Sequence, residues 1–404
     1  MKHVSSRTAF WIVAWALVMS LWSSAAPSIM FPLYASQWHL SKSITTGIFA
    51  MYPIVIIVVL VVLGNISDYF GRRNTLITGL LFLLAGALTF ALAPNMYWLF
   101  FGRAMQGTGV GLAVGSGAAA LVEFNPTSNK KLPGSINTIT QAVGVFLGQI
   151  VGAILIKYAP FPLHLSYWVL SAFVCISIIL CLFLPQNARS GSEGRSKWKP
   201  AGIKVPDGLW GVYILAVLAV GMAFSYGGVF LSLGAQIARD VVGTKDILVI
   251  GTVLSISNLL IAVSATIAGR MGPLTSIRAG MIAIILTFVL LVMASELHSF
   301  ALFIISSIVG GLGYGFSAAG GIALAALNSP PAHRAQFLSA VFLCYLFQGA
   351  SSYGGGLAST VYGFSSAIRI VSVVVGLVAL MTLLLTLIIR IRKSSEAVKP
   401  KPIG

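Results

Sequence analysis

Twelve runs of roughly 20 to 30 residues, each almost free of charge, follow one another along this sequence. They cover 9–34, 43–64, 74–93, 97–122, 133–157 and 163–184, then 207–236, 244–270, 274–296, 299–326, 335–360 and 365–391. A helix of about 20 apolar residues crosses the roughly 30 Å hydrocarbon core of a bilayer. Inside that core every backbone N–H and C=O needs a partner within the chain, so only helices and closed barrels span it. A barrel would show segments of about ten alternating residues, and these runs do not alternate. The chain is therefore expected to be an all-α polytopic membrane protein with twelve transmembrane helices. Its 8% charged residues, against about 25% in soluble domains, agree.

A polar segment rich in Ser, Gly, Lys and Arg interrupts the runs midway. It divides the chain into an N-terminal six-helix bundle (1–184), a flexible linker (185–206), a C-terminal six-helix bundle (207–391) and a tail (392–404). The net charge of +17 does not indicate nucleic acid, because the basic residues sit at span ends and not on one face of a domain. Their placement sets topology instead. Of the 25 lysines and arginines, Lys42, Lys157, Arg239, Lys245 and Arg369 fall on one side and Arg103 inside a span. The remainder share the side of the N-terminus, which puts both termini in the cytoplasm. The first span begins like a secretory signal, but its apolar run continues past Ser23-Ser24-Ala25-Ala26, so it is read as retained.

Chemistry-bearing residues are few. Cys175, Cys181 and Cys344 lie inside apolar runs and read as small hydrophobes, and the five histidines show no metal-ligand spacing. No nucleophile–base–orienter set and no P-loop can be assembled, so neither an enzyme nor a cofactor or metal site is expected. A buried charge in a membrane helix is costly and marks a functional site by default. Arg103, about two turns into the fourth span with Gln106 one turn deeper, is the charge of that kind here. All eight acidic residues lie near span ends, in loops or in tails. The lone positive residue and the missing mid-span carboxylate favour a neutral or anionic substrate over a cation. Uncharged polar and aromatic residues near mid-span, namely Trp22, Asn137, Gln141, Tyr226, Asn258, Tyr314, Tyr345 and Gln348, are candidates to line a cavity.

The two halves repeat each other. Gly107-Thr-Gly109-Val-Gly111 in span 4 matches Gly311-Leu-Gly313-Tyr-Gly315 in span 10, and Gly71…Gly79 matches Gly272…Gly280, with Gly269 where the first copy has Asp68. The counterpart of Arg103 is Ser307. Between spans 2 and 3 stands Gly64-Asn-Ile-Ser-Asp68-Tyr-Phe-Gly71-Arg72-Arg73. This G-x-x-x-D-x-x-G-R-R pattern resembles the signature loop of the major facilitator superfamily.

That resemblance covers residues 9 to 391 and implies two pseudo-symmetric six-helix bundles that rock about a central site near the bilayer midplane. Arg103-Ala-Met-Gln106-Gly107 resembles the family's fourth-helix motif, whose arginine is implicated in substrate or proton handling. Gly144-Val-Phe-Leu-Gly148-Gln149-Ile-Val-Gly152-Ala153 resembles its antiporter motif, with Gln149 in place of proline and Ala153 in place of the last glycine; close helix packing explains the glycines equally well. Cavity-lining spans 1, 4, 7 and 10 single out Trp22, Arg103, Gln106, Tyr226 and Tyr314, to which Gln348 is added. On the cytoplasmic side Gly64, Asp68, Gly71, Arg72, Arg73 and Glu123 would form a gate. In it Glu123 pairs with the loop arginines, and Asp68 faces the start of span 11.

Ala26-Pro27…Phe31-Pro32-Leu33-Tyr34 followed by Trp38 resembles a bacterial twelve-helix branch of drug and metabolite exporters. The expectation is a monomeric secondary active transporter exporting a small organic compound by alternating access and proton antiport. Its partners are then substrate, protons and membrane lipid, without nucleic acid. The alternatives are uptake or facilitated diffusion of an organic anion with Arg103 as counter-charge and, from another class, a sensor that binds without moving its ligand.

Overall fold

The computed structural model describes residues 4–128, 132–185, 208–244, 246–329 and 341–388. The expected linker beyond Pro185, the tail 392–404, the first residues of span 11 (335–340) and the topology markers Lys2, Lys130, Lys131, Lys245 and Arg334 lie outside those residues.

Twelve long helices follow in chain order. The first six are α1 (Ser6–Ala25), α2 (Lys42–Leu63), α3 (Arg72–Ala91), α4 (Met96–Glu123), α5 (Leu132–Tyr158) and α6 (Pro162–Cys181). The second six are α7 (Trp210–Ser232), α8 (Ile247–Ala268), α9 (Pro273–Glu296), α10 (Phe300–Asn328), α11 (Tyr345–Tyr362) and α12 (Phe364–Ile388). Eleven of these helices are long and apolar enough to cross a membrane. The exception is α11, whose described part is rich in Gly, Ser and Tyr.

Sequence punctuation explains the helix limits. Ser5, Ser41, Asn95, Asp246 and Ser299 each accept a backbone N–H from the first turn of α1, α2, α4, α8 and α10, satisfying a donor that the helix leaves free. Gly71 takes φ 86°, the left-handed turn that lets α3 start at once after the short helix Ile66–Phe70. Pro27 and Pro32 break span 1. Helix α1 ends at Ala25, a 3₁₀ turn covers Ser28–Met30, and a short helix Phe31–Gln37 completes the crossing.

Packing follows the sequence repeat. In the N-terminal half α4 packs against α1, α2 and α3, α1 against α5, and α3 against α6. The second half repeats this with α10 against α7, α8 and α9, α7 against α11, and α9 against α12. The repeated glycines are the contact points. A Cβ on Gly107 would lie 2.9 Å from the Tyr52 carbonyl of α2, and one on Gly109 would lie 2.7 Å from the Gly79 carbonyl of α3. In the second copy Gly311 and Gly315 abut α8, and Gly313 abuts α9. These glycines serve close helix approach, the contact that replaces hydrophobic sorting in a lipid environment. The two halves meet along α2 with α11 and along α5 with α8.

Candidate functional site

Between the halves lies a cavity of about 570 Å³. Leu60, Ala118, Gly134, Ala265 and Ile322 carry its wall to the end of the bundle that holds the Gly64–Arg73 loop. At mid-depth it is bounded by side chains of both halves, including Phe49, Tyr52, Gln149, Tyr226, Asn258 and Gln348. Beyond them, toward the opposite end, the halves touch directly.

Those contacts form two seams. Along α5 and α8, Asn258 Nδ2 donates to Gln149 Oε1 at 2.9 Å, Ser255 Oγ donates to the Phe146 carbonyl at 3.4 Å, and Lys157 Nζ meets Asp246 Oδ2 at 2.6 Å. Along α2 and α11, the Ser43 N–H donates to Thr360 Oγ1 at 3.2 Å, and Thr46 lies against Gly356. At the head of that seam Lys42 Nζ meets Asp240 Oδ2 at 2.8 Å and sits 3.6 Å from the centre of the Phe364 ring. The Lys157 ammonium, aided by the Leu248 N–H, holds the Asp246 carboxyl below its ordinary pKa. Solvent-exposed ion pairs are individually weak, so these two align the closed end while the helix contacts along both seams supply most of its cohesion.

The six residues expected to handle substrate or protons divide into two groups. Tyr226, Tyr314 and Gln348 line the cavity. Arg103, Gln106 and Trp22 do not; they are buried inside the N-terminal half. Trp22 packs on Phe173 of α6, with ring centroids 5.5 Å apart. Arg103 stands behind the cavity wall, fully buried, and its Nη1 donates to the Ser24 carbonyl at 2.7 Å and to Gln106 Oε1 at 3.1 Å. Ser24 belongs to the last turn of α1, where carbonyls lack helical partners, so the Pro27 break prepares this acceptor. The rings of Phe31, Phe49 and Tyr52 surround the guanidinium at 5.6, 5.1 and 5.2 Å. No ion pair joins it to a carboxylate among the described residues. Its Nε and Nη2, and Gln106 Nε2, find no hydrogen-bond partner.

The motif that resembles the antiporter signature is likewise explained by packing. Gly144, Gly148 and Gly152 lie against Val18, Trp22 and Ile29 of span 1. The departure from that motif, Gln149, carries the bond to Asn258 across the halves.

At the loop end Asp68 and Arg72 form an ion pair of 2.5 Å within the loop itself, and Arg72 also donates to Ser67. Glu123 is exposed and makes no ion pair among the described residues, so its expected pairing with Arg72 and Arg73 is absent. The physical reason is reach: Arg72 is engaged by Asp68 four residues back, and Arg73 turns inward, its Nε buried without a partner. Asp68 is half-exposed and touches its own loop, while the start of span 11 that it was expected to face lies outside the described residues. Gly64 closes α2 and Gly71 makes the turn.

Sequence reasoning named Asn137, Gln141, Asn258 and Tyr345 as cavity candidates, and all four line it. It missed Phe49, Tyr52, Phe224 and Phe230, which nothing distinguishes from other apolar residues in the runs. The available signal was the row Asn137, Gln141 and Gln149 on one face of α5, at multiples of four residues.

Comparison with known proteins agrees with this architecture. The chain is 27% identical over 180 residues to the protein named multidrug resistance protein MdtD of Escherichia fergusonii, a match covering 43% of this chain and 36% of that one. The MdtD of Shigella boydii matches with the same identity and coverage. The chain thus matches well under half the length of these relatives. Among solved structures, a POT family transporter in complex with a thioalcohol-conjugated peptide superposes with TM-score 0.74 at 14% identity, over 94% of this chain and 95% of that one. The nucleoside transporter NupG (D323A mutant) gives 0.72 at 14% over 94% and 99%. An inward-facing, unoccupied bacterial homologue of the human lysosomal transporter Spinster gives 0.72 at 11% over 94% and 97%. These structures share the fold. The sequence profile of the Major Facilitator Superfamily matches residues 13–345, and with its two matching six-helix halves around a central cavity the chain belongs to that superfamily of multi-pass membrane transporters.

Proposed function

We propose that this protein exports a small organic compound across a bacterial inner membrane by alternating access, coupled to proton antiport. One observation carries the reading: a cavity between the halves that is sealed at one end by inter-half contacts and reaches the end bearing the signature loop. With both termini cytoplasmic, as the Lys and Arg distribution favours, that geometry is inward-open and ready to load from the cytoplasm. Partial likeness to proteins named for multidrug resistance supports the outward direction. The division into bundles at 1–184 and 207–391, joined by a linker, supplies the rigid bodies that rock.

In the opposite state the two outer seams part and the loop end closes. Asp68, released from Arg72, then faces the N-terminus of α11, where a helix favours negative charge, and Glu123 takes up the freed arginines. Gly64 and Gly71 give the loop the room to make that change. Arg103 and Gln106, with three unpaired nitrogens behind Phe49 and Tyr52, are the polar group best placed to respond to substrate through the wall. The described wall offers no carboxylate or histidine to carry the proton, so its carrier lies elsewhere in the chain.

The experiment is purified protein in proteoliposomes with an internal pH dye, challenged with pooled amphiphilic drugs and small organic acids, beside Arg103→Ala. Substrate-dependent proton movement that the variant loses supports antiport through Arg103. Substrate flux without a proton signal leaves transport standing and removes the coupling, which the absence of a cavity carboxylate makes the second reading. Ligand-induced thermal stabilisation without flux would turn the assignment to a sensor. The organic-anion alternative has less support, because Arg103 is sealed from the cavity by aromatic rings and offers no direct counter-charge.

A further inference from the structure

The described wall of the cavity contains no Asp, Glu, Lys, Arg or His. A charged ligand entering it would give up hydration without meeting a counter-charge, which is the costly case for an ion in a protein interior. What the wall offers instead is carboxamides and rings.

The amides are Asn137, Gln141 and Gln149 along α5, joined by Asn258 of α8 and Gln348 of α11. Gln348 is 6% exposed, and its Oε1 has no hydrogen-bond partner among the described residues. Asn137 Oδ1 is unpartnered as well. A buried acceptor left unpaired is unfavourable, and here both belong to residues that line the cavity. A carboxamide both donates and accepts, so the row fits a group that does the same. Phe49 and Tyr52 contribute rings from the N-terminal half, and a larger cluster comes from the C-terminal half. Phe224 lies 4.6 Å from Tyr345 and 5.6 Å from Tyr314, and Tyr226 lies 4.4 Å from Phe230. These are tilted and edge-to-face contacts, and together the rings give the cavity an aromatic lining.

We infer that the central cavity takes an uncharged molecule with a planar aromatic body and an amide-like head, the body against Phe224, Tyr314 and Tyr345 and the head against Gln348 and the α5 amide row. This deepens the transport reading and rests on it for the claim that the bound molecule is also moved. Arg103, screened by Phe49 and Tyr52, adds positive potential that penalises a cation and gives an anion no direct contact.

Three isosteres that differ in charge alone test the assignment: biphenyl-4-carboxamide, biphenyl-4-carboxylate and biphenyl-4-carboxamidinium, each radiolabelled and titrated against the full chain in nanodiscs. The carboxamide is expected to bind about tenfold or more tighter than either ion, and Gln348→Leu to weaken it by about tenfold with little change for the ions. Gln348→Glu supplies a gain rather than a loss: the amidinium should become the preferred ligand, which a misfolded variant cannot mimic. Tightest binding by the carboxylate or the amidinium to the unaltered protein overturns the inference, as does failure of all three to bind at about 1 mM, an affinity that a few good contacts supply. Flux separates this inference from the reading beneath it. Carboxamide bound but not moved in proteoliposomes keeps the site and removes transport, whereas movement of an ion with the carboxamide ignored keeps transport and removes the site.

Discussion

The two halves bridge the same pair of helices in opposite ways. In the N-terminal half a side chain of α4, Arg103, donates to the Ser24 carbonyl of α1. In the C-terminal half a side chain of α7, Tyr226, donates at 3.0 Å to the carbonyl of Ser307, the residue that stands where α4 has Arg103. Both bonds tie the first helix of a half to its fourth. Tyr226 does so with a neutral hydroxyl and a ring against Gly310. Arg103 does so with a full charge, two unsatisfied nitrogens and a ring of aromatic neighbours. The fold therefore needs a tie at this level but not a cation. A costly group kept where a cheap one suffices points to work other than folding.

The sharpest way to break the comparison is Arg103→Met, which keeps volume and removes charge. Flux in proteoliposomes should fall by about 100-fold, with a thermal unfolding midpoint close to the parent's, because relief of an uncompensated buried charge offsets the Ser24 carbonyl and Gln106 Oε1 left unpaired. An unfolded variant would make the charge structural and end the argument.

The glycine repeat comes next. Gly109→Ala would bring Cβ to 2.7 Å from the Gly79 carbonyl, whereas Gly313→Ala meets its nearest atoms at 3.1 Å. The first should lose about 1–3 kcal/mol and the second under about 1 kcal/mol. Paired thermal unfolding checks this, and equal losses would mean that the halves are equally tight.

Tyr226→Phe removes the hydroxyl and leaves the Ser307 carbonyl unpaired, an expected loss of about 1 kcal/mol, again read from the unfolding midpoint. Binding of an aromatic carboxamide should change little, since the ring stays; a large loss would give the hydroxyl a direct role in the site.

The smallest effect is at the closed end. Asp246→Asn should raise the rate at which a membrane-impermeant maleimide labels Ser43→Cys by about twofold, with high salt acting the same way on the parent. The folded pKa of Asp246 lies below its unfolded value. Its contribution is therefore present above the ordinary carboxylate value and fades only as pH falls through the lowered one. Labelling of the parent background, divided by the rate for a free thiol at the same pH, should be flat from about pH 5 to 8. A rise within that window would assign the opening to another titrating group.

Much of this was legible in the residues. Apolar run length predicts the helices, Gly71 the turn before α3, Pro27 and Pro32 the break in span 1, and the paired glycine triplets the close faces of α4 and α10. The site was less legible. Arg103 reads from sequence as a cavity residue because it is the lone charge inside a span, yet its side chain turns away from the cavity. Glu123 reads as a partner for the loop arginines, yet Arg72 is taken by Asp68. Gln149 reads as a departure from a motif, and its role depends on Asn258, over a hundred positions away.

The reason is the range of the forces involved. Whether a stretch crosses the bilayer is settled by backbone desolvation and side-chain hydropathy within about 20 consecutive residues, so the amino-acid sequence determined the membrane class, the helices and the repeated packing faces by itself. Which side chains share a cavity, and which are sealed behind it, depends on how far each helix is rotated when it packs against partners remote in the chain. Only the tertiary structure decided that Arg103 lies behind Phe49 and Tyr52, that the amides of α5 share a cavity with the rings of the other half, and that the halves touch at one end while standing apart at the other.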